Sequence, residues 1–191
     1  MNKLDKEFYT RDTIEAAHVL LGKIVVSNTP DGVISGRIVE TEAYVYGDPA
    51  AHTTKWRTPR TEVMFGEPGR AYIYFIHGLH YCMNVVSHPV DVPGGVLLRA
   101  LEPLEGIDLM RKNRGRQEMV DLCSGPAKLT QALQIDISLL GEDLLGDRLY
   151  LVDDGTDVGE IIARPRIGVS LAVDKLLRFY PSQYSHWVSK R

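Results

Sequence analysis

The chain has 191 residues, 44% of them apolar and 25% charged, and a net charge of −3 at neutral pH. That length suits one domain with a buried core, the composition excludes a disordered chain, and apolar runs such as Val96 to Leu98 are too short to span a bilayer. Two cysteines, Cys82 and Cys123, make no disulfide framework, and the opening Met1 to Glu7 carries no apolar signal core, so a cytoplasmic protein with reduced thiols is expected.

A first helix is expected from Asp12-Thr13, with Ile14, Ala17, Leu20 and Leu21 as its apolar stripe and Gly22 as its stop. Lys23 to Ser27 reads as a strand, Pro30-Asp31-Gly32 as a turn and Val33 to Tyr44 as a long second strand. Ala71 to Ile76 and His80 to Ser87 alternate about His77-Gly78 as a hairpin. Val96 to Leu101 reads as a buried strand, and Glu102-Pro103 predicts the start of a helix running to about Asn113. Ser124-Gly125-Pro126 opens a second helix through Leu133, and Arg148 to Val152 and Ile167 to Leu171 read as later strands. No repeat or low-complexity linker interrupts this series, which predicts one domain over 1–191, of α+β class with a largely antiparallel sheet.

Charge is unevenly spread. From Asp136 to Glu160 eight acids face one base, a charge of −7 that leaves +4 on the rest of the chain. The bases gather as Lys55/Arg57/Arg60, as Arg111/Lys112/Arg114/Arg116, and as Arg164/Arg166 with Lys175/Arg178. Such a distribution permits a basic face for nucleic acid, and solvated surface explains it equally.

Four constellations bear on chemistry. In Glu40-Thr41-Glu42-Ala43-Tyr44, residues 40, 42 and 44 share one face of a strand. They read either as a solvent-facing edge with ion pairs or as a carboxylate placed to activate water. Tyr72 to Asn84 holds three tyrosines, one phenylalanine and two histidines, which read as cross-strand packing or as a wedge-bearing hairpin for the minor groove. His77, His80, His88 and Cys82 lack zinc-ligand spacing, and no metal is expected. The loop Ala50 to Arg60 and the helix start Ser124 to Lys128 read as ordinary surface and capping, or as a pocket mouth and an anion contact.

These pieces follow one another in a fixed order: Gly36-Arg37-Ile38-Val39-Glu40-Thr41-Glu42-Ala43-Tyr44, Ala50-Ala51-His52, Tyr72 to Asn84, Leu97-Leu98-Arg99-Ala100-Leu101-Glu102-Pro103 and Leu122-Cys123-Ser124-Gly125-Pro126-Ala127-Lys128-Leu129. Arg178-Phe179-Tyr180 and Trp187-Val188-Ser189 complete the set. The series resembles the alkyladenine DNA glycosylase family over roughly residues 7 to 189. The resemblance implies a curved sheet with flanking helices and a protruding hairpin that intercalates into DNA. It implies a monofunctional enzyme that flips alkylated or deaminated purines out of duplex DNA and hydrolyses the N-glycosidic bond.

By the same resemblance, Glu42 matches the general base and Arg99 a basic group near the flipped nucleotide's phosphate and the catalytic water. Tyr44, His52 and Tyr74 match the aromatic cage, and Asn84 the residue that excludes guanine's exocyclic amine. His77 stands at the wedge, where members of the family commonly carry tyrosine, and His80 likewise replaces an expected tyrosine. Lys55, Arg57 and Lys128 are candidate phosphate contacts. The implied partner is double-stranded DNA containing damaged purines, bound by a monomer without cofactor, metal or membrane. No lysine lies in a motif tied to the site, so water is the expected nucleophile and no lyase activity is expected.

Two other activities remain compatible with the residues alone: a glycan hydrolase using Glu40 and Glu42, about 6.5–7 Å apart along a strand, and a non-enzymatic stacking platform for nucleic acid. The cage also sets a geometric condition. A two-residue turn at His77-Gly78 would place Asn84 on the face opposite Tyr74, so a three-residue turn (77–79) with a bulge at the glycine is expected.

Overall fold

The structure, a computed structural model, describes residues 1–54, 57–76, 78–89 and 92–190. In chain order the elements are β1 (Asn2–Lys3), α1 (Lys6–Tyr9), α2 (Thr13–Val19), β2 (Ile24–Thr29), β3 (Gly32–Tyr44), β4 (Ala71–Ile76), β5 (His80–Val86), β6 (Gly95–Glu105), α3 (Ile107–Arg114), α4 (Met119–Leu122), α5 (Pro126–Ala132), β7 (Leu149–Asp153), β8 (Ile161–Arg164) and β9 (Arg178–Pro181). The strands form one antiparallel sheet in the order β1-β7-β2-β3-β6-β5-β4, with β9 joining β3 and β8 joining β9. The protein is a single α+β domain, as its residue pattern predicts.

The 13-residue β3 organises the sheet. On one edge it pairs with β6 from Ser35↔Glu105 to Tyr44↔Gly95. The other edge is divided: β2 covers Gly32 to Arg37, and β9 covers Thr41 and Glu42. Glu42 therefore sits on a strand held from both sides. Register shifts beside Glu40 bend the strand there. They keep Ile38 and Ala43 in the main core, while Val39 packs with Ala100 and Trp187 in a smaller cluster.

The helices cover the core face. Asp12 caps α2, its carboxylate accepting from the Ile14 and Glu15 amides. Ala16, Ala17, Leu20 and Leu21 are buried, whereas Ile14 is 37% exposed and leaves the expected stripe. Gly22 ends the helix with φ +87°. Thr41 Oγ1 donates to the Ala17 carbonyl at 2.8 Å, and Thr130 Oγ1 on α5 donates to the Tyr81 carbonyl at 2.8 Å, tying helices to strands. Leu20, Ile38, Met83, Leu98 and Leu101 are all fully buried, each a site where truncation to alanine costs about 2–5 kcal/mol.

Two expectations fail for physical reasons. Glu102-Pro103 does not open a helix, because β6 runs on to Glu105 and pairs with Ser35 to Arg37. Pro103 is accommodated beside the register shift between Ser35 and Gly36, where a ladder donor is not needed. The helix starts only after Gly106, whose φ of +72° turns the chain. Ile167 to Leu171 alternates like a strand but is a loop. The strands on that side are β8 and β9, which pair from Ile161↔Pro181 to Arg164↔Arg178.

The β4–β5 pair keeps an unbroken register from Ala71↔Val85 to Ile76↔His80, leaving three residues, 77–79, as the connection. Gly78 has φ +69°. The extra residue lies wholly in the connection, and no bulge enters the ladder. Tyr72, Tyr74, Cys82 and Asn84 therefore share one face. His77, the expected wedge, and Lys55 lie outside the described residues.

Candidate active site

That face forms one wall of a cavity of about 600 Å³. Tyr72, Tyr74, Cys82 and Asn84 come from the β4–β5 pair, Leu97 and Arg99 from β6, Tyr44 from the end of β3, His52 and Arg60 from the loop after it, and Ile167 to Leu171 from the loop between β8 and β9. The structure thus brings Tyr44, His52, Tyr74, Asn84 and Arg99 together. Tyr72, which the sequence reading left in the packing, joins them. Its signal was its position two residues before Tyr74 on one strand.

The rings are ordered by contact. Tyr72 and Tyr74 lie near-parallel with centroids 5.2 Å apart, and the His52 ring stands edge-on to Tyr74 at 4.8 Å. His52 Nδ1 is 3.1 Å from the Tyr72 hydroxyl. Desolvation, then the Arg60 guanidinium, lowers the His52 pKa and favours neutral imidazole. Burial pushes the Tyr72 phenol up to about 12 and the Cys82 thiol up to about 11, and raises Tyr44 and Tyr74 as well. All four groups are neutral at physiological pH.

Glu42 is completely buried just behind this wall. Its Oε1 accepts the Ile167 amide at 2.8 Å and faces Arg99 Nη1 at 3.2 Å, and its Oε2 accepts the Tyr44 hydroxyl at 2.9 Å. All three partners line the cavity. Burial raises the Glu42 pKa, while Arg99, the Ile167 amide and the Tyr44 hydroxyl pull it down and Glu40 pushes it up.

The solvent-facing-edge interpretation of Glu40 and Glu42 fails, since both are fully buried. They are not a pair of carboxylates across a groove either. Glu40 is held by Ser189, whose N–H and hydroxyl donate at 2.7 and 2.9 Å, and by Arg99 and Arg178, each at 3.4 Å. Arg178 and Arg166, grouped by sequence among surface bases, are inward ion-pair partners.

Arg166 is the larger surprise. Its guanidinium and the Asp48 carboxylate have no solvent access and pair at 3.0 and 3.1 Å, while Nη1 donates to the Ala43 carbonyl at 3.0 Å. Arg166 Cζ lies 4.8 Å from the Tyr44 ring centroid, supporting that ring by a cation–π contact. A sequence separation of 118 residues hides this pair from any local pattern.

Two of the candidate phosphate contacts, Arg57 and Lys128, lie among the described residues. Arg57 is exposed and its Nε pairs with Glu62 at 2.8 Å, whereas Lys128 Nζ donates to Ser124 Oγ at 3.1 Å at the start of α5. His80 opens β5 and His88 lies two residues beyond its end, with His88 Nδ1 2.7 Å from the Pro89 carbonyl. Among the described residues no group of three His, Cys, Asp or Glu side chains is arranged to hold a metal ion. Among them, too, no helix is long and apolar enough to cross a membrane.

Comparison with known proteins places this architecture. Residues 7–185 match the family model described as methylpurine-DNA glycosylase (MPG). A protein of Carboxydothermus hydrogenoformans named "Putative 3-methyladenine DNA glycosylase" is 44% identical over 190 residues, covering 98% of this chain and 99% of that protein. Proteins of the same name from Mesorhizobium japonicum and Francisella tularensis subsp. tularensis are 48% and 46% identical, each over 88% of this chain and over 82% and 89% of their own lengths. A family match across nearly the whole chain, with this identity in its relatives, means that the chain belongs to the methylpurine-DNA glycosylase family.

Proposed function

We propose that this DNA glycosylase draws an alkylated or deaminated purine out of duplex DNA into the 600 Å³ cavity and hydrolyses its N-glycosidic bond, with Glu42 activating water. The observation that carries the reading is a buried carboxylate whose three partners, Arg99, Tyr44 and the Ile167 amide, all line a cavity walled by tyrosines.

Extruding a base costs a few kcal/mol. Stacking on Tyr44, Tyr72 and Tyr74 offsets it by about 1–3 kcal/mol per base, and a purine made cationic by alkylation gains a further ~1–2 kcal/mol from the ring faces. Asn84 crowds the position of guanine's exocyclic amine. His77 fills the gap in the stack, and Lys55, Arg57 and Lys128 contact phosphates, Arg57 by exchanging its Glu62 partner.

Glu42 Oε1 accepts the Ile167 amide and faces the Arg99 guanidinium, whereas Oε2 accepts, among the described residues, the Tyr44 hydroxyl alone. A carboxylate oxygen accepts two hydrogen bonds, so Oε2 is the base for water. Water oxygen bonds to C1′ of the sugar, its proton passes to Glu42, and the C1′–N bond breaks with its electron pair leaving on the purine. An alkylated purine departs neutral without further protonation, whereas hypoxanthine needs a proton. The Glu42 charge also stabilises the oxocarbenium-like transition state. Water rather than an amine is the nucleophile in this reading, so the enzyme acts without lyase chemistry.

The test is base release from duplexes each carrying one lesion. Free base without alkali, and strand breaks only after alkali, are expected. Breaks without alkali would refute the monofunctional assignment, and absence of released base from every lesion would refute the activity.

A further inference from the structure

Arg99 faces Glu42 with Nη1, 3.2 Å from Oε1. The rest of its guanidinium is committed elsewhere. Ser189 Oγ accepts from Arg99 Nη2 at 3.1 Å and from Nε at 3.3 Å, and the same hydroxyl donates to Glu40 Oε1 at 2.9 Å. The Ser189 amide donates to Glu40 Oε2 at 2.7 Å. Glu40 Oε1 lies 3.4 Å from both Arg99 Nε and Arg178 Nη1. Ser189 is carried there by Trp187, which packs on Val39 of β3 and Ala100 of β6. A segment ending far from the cavity wall in sequence thus grips the back of the guanidinium that faces the buried carboxylate.

We infer that Glu40 and Ser189 are positioning residues for the glycosylase reaction, fixing Arg99 so that Nη1 faces Glu42, with Trp187 to Ser189 as a working part of the active site. This rests on the assignment of Glu42 as the base. A guanidinium with five N–H groups in a rigid fork has its direction set by whichever acceptors hold most of them. Here the Glu40–Ser189 pair takes Nε and Nη2, so the remaining arm points at Glu42. Freed of Ser189, the fork can tilt wholly toward Glu40, and Glu42 loses its cation. The charged and titratable groups facing Glu42 are Glu40 and Tyr44 from β3, Arg99 from β6, Cys82 from β5 and Arg178 opposite it on β9, together with the Ile167 amide. Arg99 is the largest of the influences that favour the carboxylate, so loosening it moves the ionisation of Glu42 upward.

The experiment measures single-turnover base release across pH for Ser189→Ala, with DNA affinity and thermal stability alongside. A misaligned group costs up to about 100-fold. We expect a loss of roughly 10- to 100-fold in rate, an acid limb displaced to higher pH, DNA affinity unchanged, and restoration by Ser189→Thr, which keeps the hydroxyl. An unchanged rate and pH profile in Ser189→Ala overturns the inference. So does a loss that follows DNA affinity or stability, or failure of both variants to fold, since either assigns Ser189 a merely structural role. Glu42→Gln separates the two levels. If it releases base at the parental rate, the assignment of the base itself fails. If it is inactive while Ser189→Ala is normal, only this inference fails.

Discussion

Asp48→Ala would leave the Arg166 guanidinium sealed from solvent with, among the described residues, the Ala43 carbonyl as its remaining acceptor at 3.0 Å. Removing one partner of a buried ion pair costs about 3–5 kcal/mol, because the stranded charge keeps its desolvation penalty without compensation. The half-exposed Lys175, 3.3 Å from Asp48, contributes little to that figure. For a domain of 150–250 residues each kcal/mol corresponds to about 2–4 °C in Tm, so the expected fall is roughly 6–20 °C. The double variant Asp48→Leu/Arg166→Met removes both charges and replaces them with apolar volume, and should recover most of the loss. Thermal and urea unfolding of both variants and of Arg166→Met close the cycle. An Asp48→Ala cost below about 1 kcal/mol, or a double variant as unstable as the sum of the singles, would refute the pair as the support beneath Tyr44.

Four further outcomes follow from the structure. Base release from an alkylated purine should rise with pH through an ionisation above the ordinary glutamate value, because burial raises Glu42 and only its carboxylate form accepts a proton. Arg99→Gln should displace that limb further upward, since the lost cation was lowering it, and a downward shift in the pH–rate profile would contradict the electrostatics. Asn84→Ser should raise release of 7-methylguanine relative to alkylated adenine by a factor of about 10, the scale on which a pocket discriminates one small group, as read from paired single-lesion duplexes. Gly106→Ala should destabilise the protein by about 1–3 kcal/mol, since φ is +72° and the new Cβ would sit 2.6 Å from the Val33 carbonyl oxygen; denaturant unfolding measures it.

How much was legible depended on whether the deciding partner lay nearby in sequence. Asp12 as a cap, Gly22 as a stop, and β3 as a long strand rest on local chemistry and held. The three-residue connection after Ile76 followed from requiring Tyr74 and Asn84 on one face, and the register agrees. Pro103 misled because a long partner strand outweighed a helix-start signal, and its pairing with Gly36 is a tertiary fact. Ile167 to Leu171 misled because alternation resembles a strand, while the Ile167 amide is spent on Glu42 and Gly168 takes φ +78°. For Glu40 and Glu42 the residues alone left two readings, and burial decided against the solvent-facing edge: Glu40 faces Ser189, and Glu42 lies behind the cavity wall on partners that line it. Neither Arg166 nor Ser189 carries a local signal, since each acts on a residue more than 80 positions away.

The most direct test is single-turnover release of a single alkylated purine from duplex DNA by Glu42→Gln, with enzyme in excess and affinity for the same duplex measured in parallel. The account predicts a rate lower by about 10²–10⁴-fold, the range for loss of a positioned general base, with binding retained. Release at the parental rate would contradict it.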